Sequence, residues 1–458
     1  MRAALRAFHF ISYLTFRLYE GLIRLVSLDC AFVLGQVGGE LAYHILWRRR
    51  ALALRNLRLA FGGEMSDSQL RVLNRRHFQL LGANLLAGLK AATLSHERIW
   101  TRVTANVPEE RGQSGWIALI SHTGNWELYS HLGGKFPEYR FGTVYQPLAN
   151  PFVDHYLRAT RTKSGIALFD RREQLLGCVQ FLREGGVVGI LADQGAGYAG
   201  VWTPLFGRLT SSSTLAARFS VRTHLPIVPI AITTSGRARW QLTISDPIYP
   251  DDDEAAVLTA KLNRVLEKQI RRSPADWLWA HNRWKPLRPH FLFARDQRRV
   301  FLPANFDRSA LDPFRILIVS PTSAAEAVAT FPAVHAIKQG RPDNFITVLA
   351  LDLLANAWKN NPTVDHVLEW RRGESVFSLV AKIRGRSRFD VSIFLATNWK
   401  ISSAIWLAGI PLRVGRRSGI NAWLCNQHPI EPDQPFDCVR MNLHIAQSVG
   451  ADINAVPM

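Results

Sequence analysis

The chain has 458 residues, 47% of them hydrophobic and 20% charged, with a formal net charge of +20. This composition excludes a disordered chain and leaves room for two or three domains, each with its own core. The cysteines at 30, 178, 425 and 438 form no C-x-x-C pair and no zinc spacing, which points to a reduced compartment, and no metal or other cofactor is expected. So basic a chain attracts nucleic acid, anionic membrane or phosphorylated substrate. With no zinc finger, RNP-type aromatic motif or long basic run, nucleic acid is not an expected partner.

Residues 1–100 read as helices with polar breaks at Gly62-Gly63 and Ser66-Asp67-Ser68. Inside them, residues 25–47 carry only Asp29 and Glu40 as charges and run into Arg48-Arg49-Arg50, with Arg55 and Arg58 close behind. An apolar segment followed by clustered arginines suits a membrane-associating element on the cytoplasmic side. Its acids and glycines weigh against a full span, so lying on the bilayer and crossing it both stay open. No cleavable signal is expected.

From 116 the pattern changes. The runs 116–121, 140–146, 187–193 and 226–233 read as buried strands, with helical patterns around 150–163, 173–184 and 213–222 between them. That alternation predicts an α/β fold over 101–290 with a mostly parallel sheet flanked by helices. An added strand is expected at 239–248 and a helix at about 254–272. A polar, Arg-rich and Pro-punctuated stretch, 291–313, reads as a linker. Strands at 315–320, 345–351, 365–370 and 390–396, with helices between, then predict a Rossmann-like α/β domain over 314–458.

The chemistry concentrates in Trp116-Ile-Ala-Leu-Ile-Ser-His122-Thr-Gly124-Asn125-Trp126-Glu127. Spacing alone proves nothing, because 14 histidines and 36 acids give about one His-x4-acid match by chance. A second match does occur, at His428 to Asp433, with two prolines inside it and no buried strand ahead of it. His122 instead stands at the carboxyl end of a predicted parallel strand, where open α/β sheets bind ligands. Gly124 permits a tight turn, and Glu127 in the following first turn is placed to reach back to the His122 ring. A carboxylate on one ring nitrogen leaves the other free to take a proton from a substrate hydroxyl.

These residues resemble the His-x4-Asp/Glu signature of glycerolipid and lipid A acyltransferases, in the H-x-G-N-W-E form of the bacterial lipid A late-acyltransferase branch. Further blocks are similar in order: Arg50 to Phe61, the 144–154 segment VYQPLANPFVD, Gly185 to Gln194, Pro204 to Gly207, Pro226 to Pro229, and Asp276 to Lys285. The resemblance covers about residues 15–290. It implies transfer of a fatty acyl chain, usually from acyl carrier protein, to a hydroxyl of an anionic lipid A precursor at the bacterial inner membrane. It makes His122 the base and Glu127 its partner. Gly124, Asn125, Asp193 and Gln194 would bind substrate, with Asp193 helping to shape the site, and Arg158, Arg161, Arg171 and Arg172 would contact lipid phosphates or the acidic carrier. One position departs from the pattern: Gln146 stands where the family commonly has Arg.

The second domain resembles the N-terminal half of heptosyltransferase-like glycosyltransferases at 315–339, 361–370, 388–396 and 411–419, with Ala325-Glu326 where that family has Gly-Asp. Its nucleotide-sugar half is not expected within this chain. A sugar-acceptor-binding or docking domain, a degenerate remnant and half of a split enzyme all remain open. The rival functions are a glycosyltransferase with an N-terminal anchor, a non-catalytic glycolipid-binding protein, and acylation of another glycolipid.

Overall fold

The structure is a computed structural model that describes residues 2–106, 115–293, 300–303, 305–386, 388–434 and 436–454. It divides into two compact units. The first comprises Met1–Phe206, Thr210–Trp284 and Phe301–Phe306; the second comprises Gly207–Leu209, Lys285–Val300 and Asp307–Met458.

The first unit opens with helices α1 (Arg2–Arg24), α2 (Leu28–Ile45), α3 (Trp47–Phe61), α4 (Asp67–Ala91) and α5 (His96–Trp100). The polar break at Ser66 is a capping box. Its hydroxyl accepts from the Gln69 backbone N–H while the Gln69 side chain accepts from the Ser66 backbone N–H. The glycines of 25–47 have a packing role. A Cβ on Gly35 would meet the Gly82 carbonyl oxygen at 2.3 Å, and one on Gly39 the Phe78 carbonyl at 2.0 Å, so only glycine lets α2 lie this close to α4. Among the described residues no helix is long and apolar enough to cross a membrane. The far face of α2 still exposes Leu34, Val37, Leu41 and Ile45, and α1 exposes a longer row through Phe8, Ile11, Leu14, Leu18 and Leu22.

The helices precede strands β1 (Val103–Asn106), β2 (Trp116–Ile120), β3 (Phe141–Tyr145), β4 (Ala167–Asp170), β5 (Val187–Leu191), β6 (Val201–Leu205), β7 (Arg208–Ser212), β8 (Ile227–Gly236) and β9 (Arg239–Ile244). Helices α6 (Leu132–Lys135), α7 (Pro151–Lys163), α8 (Leu175–Arg183), α9 (Leu215–Thr223) and α10 (Ala255–Arg272) lie between and after them. Seven strands form one sheet in the order β1-β9-β8-β2-β5-β3-β4. Five run parallel; β9 is antiparallel to β8, and β1 follows β9, so the sheet is mixed. The separate β6–β7 pair and strands β1 and β4 have no counterpart in the sequence prediction.

The second unit is α/β as well. Strands β10 (Phe314–Val319), β11 (Asn344–Leu351), β12 (His366–Trp370), β13 (Val391–Phe394) and β14 (Leu412–Val414) form a sheet in the order β12-β11-β10-β13-β14, parallel throughout. Around it lie α11 (Ala324–Ala329), α12 (Phe331–Gln339), α13 (Ala355–Lys359), α14 (Val376–Arg386), α15 (Trp399–Ala408), α16 (Asn421–Leu424) and α17 (Cys438–Ser448). The expected linker begins differently from its prediction. Phe291 and Leu292 are buried in the second unit's core, because two large apolar side chains gain more there than in water. Positions 294–299 and 304 of that stretch lie outside the described residues.

Candidate active site

His122 follows β2 and Asp193 follows β5. The two strands pair in parallel with Ile120 opposite Leu191, a register that carries His122 to Asp193 two residues beyond the pairing. The His122 ring Nδ1–H donates to Asp193 Oδ1 at 2.8 Å. The second carboxylate oxygen accepts the His122 backbone N–H at 2.8 Å and the Trp277 indole N–H at 2.7 Å. Asp193 is buried and the His122 side chain is 14% exposed. Burial opposes charge on His122, but the Asp193 carboxylate, with Glu127 further off, outweighs it and holds the ring's pKa above its ordinary value. Burial also works against the Asp193 carboxylate, and His122 and the Trp277 N–H overcome it, so its pKa lies below the usual carboxylate value. Because Asp193 fixes the proton on Nδ1, the lone pair sits on Nε2, where the Gln194 side-chain amide nitrogen lies 3.4 Å away.

Glu127 is elsewhere. The expectation that it reaches back to the ring is corrected: the 3₁₀ turn Trp126–His131 carries it towards α7, where it pairs with Arg161 at 3.2 and 3.3 Å. Short sequence distance does not bring the side chain to the ring once Gly124 has turned the backbone. Gly124 has φ +56°, and a Cβ there would meet the Ile232 carbonyl oxygen at 2.4 Å. Asn125 is buried beneath the turn with Oδ1 towards Gly88 of α4, so it faces the interior. Gln194 is exposed beside the ring. Of the predicted arginines only Arg161 joins the site. Arg158 is exposed and lies 5.6 Å over the Tyr145 ring, and Arg171 and Arg172 are exposed past β4. The Tyr145 hydroxyl and the Leu148 N–H both bond Asp154, which shapes the VYQPLANPFVD segment into the start of α7. The other spacing match separates cleanly: His428 Nδ1 bonds the Gly415 carbonyl at 2.9 Å, in the second unit.

The closing segment supplies what the sequence reading did not assign. Trp277 pairs antiparallel with Thr123, the Gly124 N–H donates to the Asp276 carbonyl, and the Leu278 N–H donates to the His122 carbonyl. Asp276 is itself held by Thr234, Ser273 and Asn84. Asn56 of α3 donates to the carbonyls of Trp279 and His281 at 2.8 and 2.7 Å. Arg283 is buried, with burial bringing its pKa down to about 10, and it donates to Thr210, Ser211 and Ser212 beneath Gly195.

Beside the histidine lies an apolar cavity of about 250 Å³. Its walls come from three adjacent strands: alternate residues of two of them, Ala118 and Ile120 of β2 and Val187, Gly189 and Leu191 of β5, and the whole run Phe141 to Tyr145 of β3. Trp126, Glu127 and Arg161 stand at the histidine end, and the Trp126 ring packs edge-on to His122 at 5.4 Å. Ala118 of β2 stands four residues before His122, so the far wall of the cavity lies roughly 13 Å from that residue at ~3.3 Å per residue. Gly189 lets the Ile120 side chain lie across it: a Cβ there would meet Ile120 Cδ1 at 2.8 Å.

A histidine held by a buried carboxylate over an apolar cavity suits transfer of a group with a long hydrocarbon chain. The sequence matches the bacterial lipid A biosynthesis acyltransferases over residues 5–286, and the chain belongs to that family. It is an acyltransferase. It is 30% identical over 262 residues to the lipid A biosynthesis lauroyltransferase of Escherichia coli K12, covering 54% of this chain and 82% of that protein. Among solved structures it is similar to a family 9 glycosyl transferase from Veillonella parvula DSM 2008 (17% identity, TM-score 0.29, 32% of this chain and 43% of the other). It is also similar to ADP-heptose LPS heptosyltransferase II of E. coli (20%, 0.28, 31% and 44%). The chain thus spans less than half of either solved structure.

Proposed function

We propose that the first unit moves a fatty acyl group from an acyl thioester, on acyl carrier protein or coenzyme A, to a hydroxyl of a lipid A precursor. His122 Nε2 takes the hydroxyl proton, the oxygen attacks the thioester carbonyl, and the tetrahedral intermediate expels a thiolate that recovers the proton from Nε2. Asp193 holds the ring in the tautomer this needs and stabilises the imidazolium in between. The observation that carries the reading is this Nδ1–carboxylate bond beside the cavity, which would hold the acyl chain. Glu127 keeps the Arg161 guanidinium at the cavity mouth, where a phosphate or the developing oxyanion would meet it. The exposed rows on α1 and α2 would lie on the cytoplasmic face of the inner membrane, holding the site at its lipid substrate. For residues 314–458 a kinship with heptosyltransferase-like domains is proposed on the sequence blocks alone.

The test is acyl transfer by the purified protein, read by mass spectrometry of the lipid product. His122→Ala is expected to abolish transfer, and Glu127→Gln to cut it by about tenfold or more. Near-normal turnover by His122→Ala would remove the mechanism.

A further inference from the structure

Every strand of the second unit runs the same way, so all its carboxyl ends meet at one edge of the sheet. Each of the four segments that leave β11, β12, β13 and β14 at that edge carries a large apolar side chain turned to solvent. After β11 it is Leu353 (83% exposed), after β12 Phe377 (79%), after β13 Trp399 (59%) and after β14 Trp423 (85%). The four segments touch one another. Arg371 meets Asp352 at 3.6 Å, Lys400 Nζ donates to the Arg372 carbonyl at 3.4 Å, and Thr397 bonds both Ser418 and Asn421. They form one continuous surface, and exposed apolar groups gathered this way mark an interaction site.

The charge on the surface is basic. Arg371, Arg372, Lys400, Arg416 and Arg417 leave the same strand ends. Of the acids there, Asp352 pairs with Arg371, Glu374 with Lys382 and Glu431 with Arg416, while Glu326 stands at the start of α11. Among the described residues no carboxylate pairs with Arg372, Lys400 or Arg417. Tryptophan and phenylalanine at the apolar level with arginine and lysine beside them is the composition that settles at a bilayer surface, and unpaired cations draw it to anionic headgroups.

We propose that this edge docks the second unit on an anionic membrane, separately from the α1–α2 contact of the first unit. The test is hydrogen exchange of the full chain, alone and with vesicles of phosphatidylcholine containing about one third phosphatidylglycerol. Segments 352–377 and 397–423 are expected to exchange more slowly with these vesicles than with pure phosphatidylcholine, and the slowing to fade at high salt. The combined variant Phe377→Ser, Trp399→Ser, Trp423→Ser is expected to partition about tenfold less onto the anionic vesicles. These side chains are exposed, so a melting curve like that of the wild type is expected. Three outcomes overturn the proposal: unchanged exchange in both segments, equal slowing on neutral vesicles, or slowing that grows with protein concentration in the absence of lipid, which would mean a second copy covers the edge. Residues 2–47 report the first unit's contact in the same experiment, so failure of one contact is seen apart from failure of the other.

Discussion

Asp193→Asn is the sharpest perturbation of the site. Both partners of Asp193 Oδ2, the His122 backbone N–H and the Trp277 indole N–H, are donors. They require an oxygen there, so the new amide must turn its NH₂ group to the His122 ring. Nδ1 then has to accept, the ring proton moves to Nε2, and the nitrogen that should take the substrate proton is occupied. The charge is lost as well. An imidazolium and a carboxylate about 4 Å between charge centres attract by roughly 4 kcal/mol at an effective dielectric of 20, which is about a thousandfold in rate. With the wrong tautomer added, a loss of about 10³–10⁴ in kcat/KM is expected. The assay is the initial rate of acyl transfer at saturating donor, with a melting curve to show that the isosteric variant still folds. A folded Asp193→Asn protein within about tenfold of wild type would refute the assignment and return Glu127 to the ring.

Further expectations concern pH, the indole and the cavity. The base must be neutral to work, and its pKa is raised, so the acidic limb of kcat/KM should lie above the ordinary histidine value of 6.5. A raised folded pKa stabilises the fold fully below the unfolded value and loses that contribution as pH rises through the folded one, so this share of stability falls as activity appears. A limb at or below 6.5 in a pH–rate series would contradict the geometry. Trp277→Phe keeps the packing but removes the N–H, leaving Asp193 more basic towards His122. A loss of about tenfold and a further upward move of the same limb are expected, whereas a purely structural tryptophan would change the melting temperature alone. Ala118→Leu fills the cavity floor, and each methylene displaced from it should cost about 0.8 kcal/mol, or about fourfold in kcat/KM per carbon, which a series of donors of increasing chain length would read. Equal selectivity in the variant would place the chain elsewhere.

Much of this was legible because the buried strands announce themselves. The runs WIALIS, VVGILAD and PIVPIAIT are apolar on both faces, as central parallel strands must be, and each lies within a residue or two of β2, β5 and the start of β8. Strands β1 (VTAN), β4 (ALFD) and β7 (RLTSS) are short and lie at a sheet margin or in a separate pair, where local composition does not separate strand from loop. The glycines at 35 and 39, read as weakening a span, make more sense as a helix crossing, but their partner Gly82 is over forty residues away. The orienting carboxylate was obscured for the same reason. Glu127 is near His122 in sequence, whereas Asp193 is near only through the β2–β5 register. What joins the two is the sheet order that sets β2 beside β5, which neither strand's own residues specify.

That register explains why the support for His122 is scattered along the chain. A histidine at a strand end has no further ladder to hold it, so its backbone must be fixed by something else. Here the Leu278 N–H bonds its carbonyl, Asp193 its N–H, and the Asp276 carbonyl the N–H of Gly124 two residues on. Trp277 sits in the same short segment and ties the carboxylate to it, so residues 276–278 set the backbone and the orienting group together. Asn56 then holds the next two turns from α3, more than two hundred residues earlier. Displacement of this segment would shift the ring and its carboxylate as one body. Substitutions between 276 and 283 should therefore act on kcat without touching substrate, and act through His122 even where the altered side chain lies well away from the imidazole.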